Sequence, residues 1–149
     1  TFRYTGPGET NNRIIEIGNT TGFLDSSGGS AITPLEFTSN FTVTNTAAKT
    51  FTLTGTGFGK ISGIIPNNTG ATSITKTGTG TWTLNAANTY TGTTTLSAGT
   101  LSISDLGNLG SGGSVVFGGG TLQVTGTSLT SLSPRTITVG TSATVGFDI

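Results

Sequence analysis

The stretch GTGTWTLNAANTYTGTTTLSAGTLSI, Gly78 to Ile103, decides the fold. In TWTLN (Thr81 to Asn85) threonine alternates with large apolar residues. That period of two puts Trp82 and Leu84 on one side of a strand and Thr81 and Thr83 on the other. The alternation pauses at an asparagine-bearing turn and then resumes through TTTLS and TLSI. Threonine is β-branched and suits a pleated strand, and glycine supplies the tight turns between strands. No window carries an amphipathic period of 3.6, and no convincing capping box announces a helix.

Outward from this stretch the pattern recurs. Ile15, Leu35, Leu53, Ile74, Leu96, Val116 and Ile137 form one apolar series, with gaps of 18 to 22 residues. Leu24, Val43, Ile64, Leu84, Ile103, Val124 and Val145 form a second between them, with gaps of 19 to 21. Two interleaved series of one period predict an all-β right-handed parallel β-helix, a β-solenoid of about seven coils of about 20 residues each. Stacked at ~4.8 Å per coil, the rod would be roughly 34 Å long. An open hairpin sandwich is the rival all-β reading. The period and the lack of Asn-Gly or Asp-Gly hairpin turns favour the solenoid. GTGTG around Gly78, SGG at Ser111 to Gly113 and GGG at Gly118 to Gly120 supply turn positions of positive φ, and Asn67, Asn68, Asn85, Asn88 and Asn108 suit the corners.

Composition narrows the function. Charged residues are 8% of the 149, against about 25% in an ordinary soluble protein, and the formal net charge is zero. The six basic residues, Arg3, Arg13, Lys49, Lys60, Lys76 and Arg135, are scattered, so no basic stripe for nucleic acid is expected. There is no His and no Cys, hence no disulfide and no thiolate metal site. No apolar run approaches the ~18 residues of a membrane helix. The chain has no Met, starts at Thr1 and shows no secretory leader. Residues 1–149 therefore read as a single β-helix segment, a processed chain or a fragment of a longer repeat protein. TFRYTG begins inside a strand pattern and VGFDI stops inside one, so adjacent coils or other copies of the chain are expected to cover the open sheet edges at the ends.

KTGTGTWTLNAANTYTGTTTLSAGTLSI, Lys76 to Ile103, closely resembles the autotransporter-associated β-strand repeat, also called the passenger-associated transport repeat. The family's pattern, Lys-x-Gly-x-Gly-x-aromatic-x-Leu, then Asn-x-Tyr-x-Gly-x-Thr, then Gly-x-Leu, falls on Lys76, Gly78, Gly80, Trp82, Leu84, Asn88, Tyr90, Gly92, Thr94, Gly99 and Leu101. The flanks resemble the neighbouring coils of such proteins more loosely. The resemblance implies a parallel β-helix passenger of a large bacterial surface protein, exported across the outer membrane. Its repeat would assist secretion and folding of a non-catalytic stalk. Surface glycans or other cells would be candidate partners of such a stalk, and no small-molecule cofactor is implied. A self-assembling subunit of an extracellular filament, or a partner-bound structural subunit, stacking through open coil ends, is the alternative.

Chemistry-bearing clusters are sparse. Glu9, Glu16, Asp25, Glu36, Asp105 and Asp148 form no local motif. Glu16 and Glu36, one coil apart, could stack on one face, but like charges without a partner repel. No catalytic, cofactor-binding or metal-binding residue is assigned. GSGGSVVFGGG lacks the Asp of a calcium β-roll, and GFGKIS lacks the Lys-Ser/Thr and helix of a phosphate loop. Outward threonine rows can order water, as in some ice-binding proteins, and TKTGTGT and TGTTT raise that reading. It is set aside because Glu16, Glu36, Gln123 and Gly146 are expected to interrupt the row. Trp82 is expected in the core; Tyr90 could be core or an exposed sugar platform.

Overall fold

In each coil, alternating Thr and apolar residues make short strands that glycines and asparagines close off. A computed structural model describes residues 1–140 and the backbone of 146–148. Its strands are β1 (Phe2–Tyr4), β2 (Glu9–Asn11), β3 (Glu16–Ile17), β4 (Thr21–Ser26), β5 (Leu35–Phe37), β6 (Thr42–Val43), β7 (Lys49–Thr54), β8 (Phe58–Ile61), β9 (Thr72–Lys76), β10 (Thr81–Leu84), β11 (Thr94–Leu96), β12 (Thr100–Ile103), β13 (Val115–Phe117), β14 (Thr121–Val124), β15 (Ile137–Val139) and β16 (Gly146–Asp148). The first sheet runs β1-β4-β7-β9-β11-β13-β15, and the second β2-β5-β8-β10-β12-β14-β16. β3 and β6 form a small third sheet. Every strand pairing among the described residues is parallel, for example β10 with β8 and β12. The chain thus climbs as a β-solenoid of about six turns of ~23 residues, near the predicted seven of about 20.

Register aligns the side chains into columns. In the first sheet Phe2, Leu24, Leu53, Lys76, Leu96, Phe117 and Val139 stack in sequence. In the second, Glu9, Leu35, Gly59, Trp82, Leu101 and Leu122 do so. The inward residues merge into one continuous core from Ile17 to Val124. Phe2, Phe37, Phe41 and Phe51 meet edge to face, with centroids 6.0, 6.3 and 5.5 Å apart, the arrangement the ring quadrupole favours.

The first apolar series is in phase only from Leu53 onward and the second only from Leu84 onward. Leu53, Ile74, Leu96, Val116 and Ile137 lie in the first sheet, and Leu84, Ile103 and Val124 in the second. Upstream the phase slips: Leu24 is in the first sheet, Leu35 in the second, Val43 in the small sheet, and Ile15 and Ile64 lie outside strands. The cause is the extra corner made by β3 and β6, which separates the aligned residues Leu24 and Leu53 by 29 positions. Val145 lies outside the described residues. Val116 is partly exposed between the buried Val115 and Phe117.

Two further expectations change. Every positive φ among the described residues belongs to glycine, so asparagine serves the corners through its amide and not through a left-handed backbone. There is also a short 3₁₀ turn, Leu106–Leu109, held by a capping box. Asp105 accepts from Gly107 N at 2.7 Å, and Asn108 Oδ1 accepts from Asp105 N at 2.9 Å. The helical signal was Asp-Leu-Gly-Asn, an Asp/Asn form of the usual Ser/Thr-x-x-Glu/Gln box.

Candidate functional site

The repeat motif occupies one full coil, and each of its residues has a distinct placement. Lys76 ends β9 in the column between Leu53 and Leu96, fully buried. Its Nζ donates to Thr77 O at 2.6 Å, Gly78 O at 2.9 Å and Ala98 O at 3.3 Å. Three ammonium donors meet three carbonyls at the turns of two successive coils. Burial pushes its pKa down to about 8.

The glycines mark where backbones approach. Gly78 and Gly99 have φ of 68° and 64°, where a side chain is strained. A Cβ on Gly99 would sit 2.3 Å from Gly78 O and 2.7 Å from Lys76 Nζ. A Cβ on Gly80 would lie 2.1 Å from Gly57 O, and one on Gly92 2.3 Å from Ser73 Oγ.

Trp82 is fully buried, and its Nε1 donates to Thr54 O at 2.8 Å. The indole covers Gly59 in the coil before, where a Cβ would come within 2.5 Å of the ring. Leu84 and Leu101 are fully buried beside it in the same core. Tyr90 is also core: it is fully buried, and its hydroxyl pairs with Thr94 Oγ1 at 2.8 Å. Burial pushes its pKa up to about 12.

Asn88 binds both neighbouring coils. Its Oδ1 accepts from Ile65 N at 2.7 Å and its Nδ2 donates to Asn108 O at 2.7 Å. Asn108 continues the ladder, donating to Ala86 O at 3.0 Å. These bonds satisfy corner amides and carbonyls that have no strand partner.

The remaining polar groups do not assemble a reactive centre. Glu36 lies on the outer side of the second sheet with Lys60, at 3.1 Å, and it accepts from Ser62 Oγ at 2.6 Å. The Ser62 hydrogen bond leads in holding the Glu36 carboxyl below its ordinary pKa, with Lys60 adding to it. Glu16 stands in β3 opposite Thr42 and accepts from Thr44 Oγ1 at 2.8 Å. Glu16 and Glu36, which could have stacked on one face, are on different sheets, because the extra corner shifts one against the other. Among the described residues no group of three or more carboxylates, His or Cys could hold a metal ion.

A cleft of about 460 Å³ lies between Leu106, Gly110, Gly113 and Pro134. Arg135 crosses it and donates to the carbonyls of Leu106, Gly110 and Gly112, bracketing the preceding coil. Sequence reading missed this bracket, the Glu36–Lys60 pair and the buried Lys49, whose Nζ donates to Gly70 O at 2.7 Å. Only register could have revealed them.

Comparison with known proteins agrees with this arrangement. The family model of the passenger-associated transport repeat matches residues 74–103. The BmaC autotransporter adhesin of Brucella suis biovar 1 (strain 1330) is 42% identical over 114 residues, 74% of this chain. The chain spans only 3% of that adhesin's length. No solved structure matches the chain. Motif, coil geometry and relative together make this chain a member of the passenger-associated transport repeat family.

Proposed function

We propose that the chain is a segment of a non-catalytic passenger stalk, exported to the surface of a Gram-negative-type bacterium and serving there as spacer and display element. The observation that carries this reading is the use of the motif itself. All eleven motif residues hold one coil to the next or fill the core, and none directs a reactive group outward. The likeness to a stretch of an autotransporter adhesin supports the surface location. In a solenoid each coil contacts only its neighbours, so folding can propagate along a chain as it emerges outside the cell. Folded coils then oppose backsliding without ATP.

The test is to fuse the chain to an autotransporter translocator barrel and display it on cells. The expected result is surface exposure of a protease-resistant rod, with Leu84→Lys delivered poorly or degraded. Failure of the wild-type chain to reach the surface would overturn the export reading. Equal attachment of displaying and barrel-only cells to glycan and cell surfaces would remove adhesion and leave the spacer role. Long fibres of the purified chain would instead favour the filament subunit.

A further inference from the structure

The outward side of the first sheet is a threonine lattice. Thr52, Thr75, Thr95, Val116 and Thr138 form one register column along β7, β9, β11, β13 and β15. Thr50 and Ser73 begin a parallel column on one side, continued in the same register by Thr93, Ser114 and Thr136. Thr54, Thr77 and Ser97 lie on the other side. Across these three columns and five coils, twelve of fifteen positions are Thr or Ser, and the exceptions are Val116, Gly118 and Gly140. None is charged or aromatic.

The residues that argued against such a row are elsewhere. Glu36 and Gln123 belong to the outer column of the second sheet, Gly146 to β16 of that sheet, and Glu16 to the small sheet. The lattice gives way at β4 and β1, where Phe23 and Asp25 align with Thr52 and Thr54 and Arg3 aligns with Asp25.

Most hydroxyls of this lattice are not used inside the protein, Thr93 and Ser114 pairing with each other at 3.4 Å. Inward and corner hydroxyls are engaged: Thr72 donates to Pro66 O at 3.0 Å, Thr94 pairs with Tyr90 at 2.8 Å, and Thr33 donates to Pro7 O at 2.9 Å. The hydroxyls of Thr50, Thr52, Thr75, Thr95 and Thr138 have no partner among the described residues. Thr52 is 7% exposed and still has none. Arg135 Nε is the one fully buried side-chain polar atom without a partner among the described residues, so these threonine hydroxyls reach the surface and are open to bond water lying on the face.

We infer that this face binds ice, holding an ordered water layer on its hydroxyl-and-methyl lattice. The array repeats every ~4.8 Å across coils and ~6.6 Å along strands, the scale on which hydrogen-bonded water layers repeat. Each threonine sets a hydroxyl that anchors a water beside a methyl that restricts its neighbours, and Val116 preserves the methyl where the hydroxyl is lost. Zero charge leaves no tightly held ionic hydration to compete with the lattice. A sugar surface would call for aromatic platforms or carboxylate and amide forks, which this face lacks from β7 onward.

The experiment is slow freezing of the purified chain, measuring its enrichment in the ice fraction and its effect on ice-grain growth. The wild-type chain should enter the ice and restrain recrystallisation. A Thr75→Lys, Thr95→Lys double variant should lose both while keeping its circular dichroism and melting curve. Thr83→Lys, on the outer column of the second sheet, should retain both. Exclusion of the wild type from ice would overturn the inference, as would an active double variant. Co-sedimentation with crystalline cellulose or chitin but not with ice would assign the face to glycans. A wild-type dimer broken by the double variant would assign it to a second copy.

Discussion

At the residue scale, Lys76 is the position that most departs from its surroundings, a cation in a column otherwise built of Phe, Leu and Val. It stays because the carbonyls of Thr77, Gly78 and Ala98 converge on it where two turns cross. Methionine could fill the stem's volume but would leave those carbonyls without donors, at about 1–3 kcal/mol. The pH dependence gives a sharper prediction. The folded lysine titrates at about 8 and the unfolded one near 10.5. Between these values the unfolded chain binds more protons, so stability rises with pH. Denaturant midpoints of the wild type should therefore climb relative to Lys76→Met from pH 8 to 10. Tyr90, raised to about 12 by burial, acts in the opposite sense above pH 10 and is common to both proteins. A constant difference between them across that range would mean that burial does not depress Lys76.

At the scale of one coil, the limiting quantity is the approach of one turn to the next. Gly80 has no positive φ, yet its missing Cβ is required, since Gly57 O would lie 2.1 Å away. Gly118 occupies a turn with its nearest neighbour, Leu96 O, at 3.5 Å from an added Cβ. Gly80→Ala should lower stability by about 1–3 kcal/mol through overpacking, while Gly118→Ala should be neutral or stabilising by about 0.4–1 kcal/mol through the unfolded chain. Thermal melts of the two variants check this, and equal melting temperatures would refute the crowding argument. The same scale shows what could be read from sequence. Alternation identified the strands from Leu53 onward and the inward sense of Trp82 and Leu84, because side-chain direction in a strand is local. The extra corner at β3 and β6 was hidden, since an inserted pair of residues such as Glu16–Ile17 carries no alternation of its own. The clean hydroxyl lattice was hidden for the same reason: which threonines share a face depends on coil length, and Glu16 and Glu36 could not be assigned to other sheets without it.

At the scale of the whole molecule, stability is a sum of coils and of the interfaces between them. Burial is uneven along the rod. The residues of β1, β2 and β15 are exposed or only partly buried, whereas β7 to β12 carry Leu53, Ile61, Ile74, Trp82, Leu84, Leu96 and Leu101 with no exposure. Amide hydrogen exchange should therefore be slowest from β7 through β12 and fast in β1, β2 and β15. Trp82 is the test of coupling, because its ring lies across Gly59 of one coil while its register partner Leu101 belongs to the next. Trp82→Ala should cost about 3–5 kcal/mol, a large share of the about 5–15 kcal/mol typical of a folded domain. If coils interact only with their neighbours, the added exchange should appear first in β8, β10 and β12 and reach β4 and β13 less. Equal acceleration along the whole chain would instead show one all-or-none unit, and coil-by-coil folding during export would lose its physical basis.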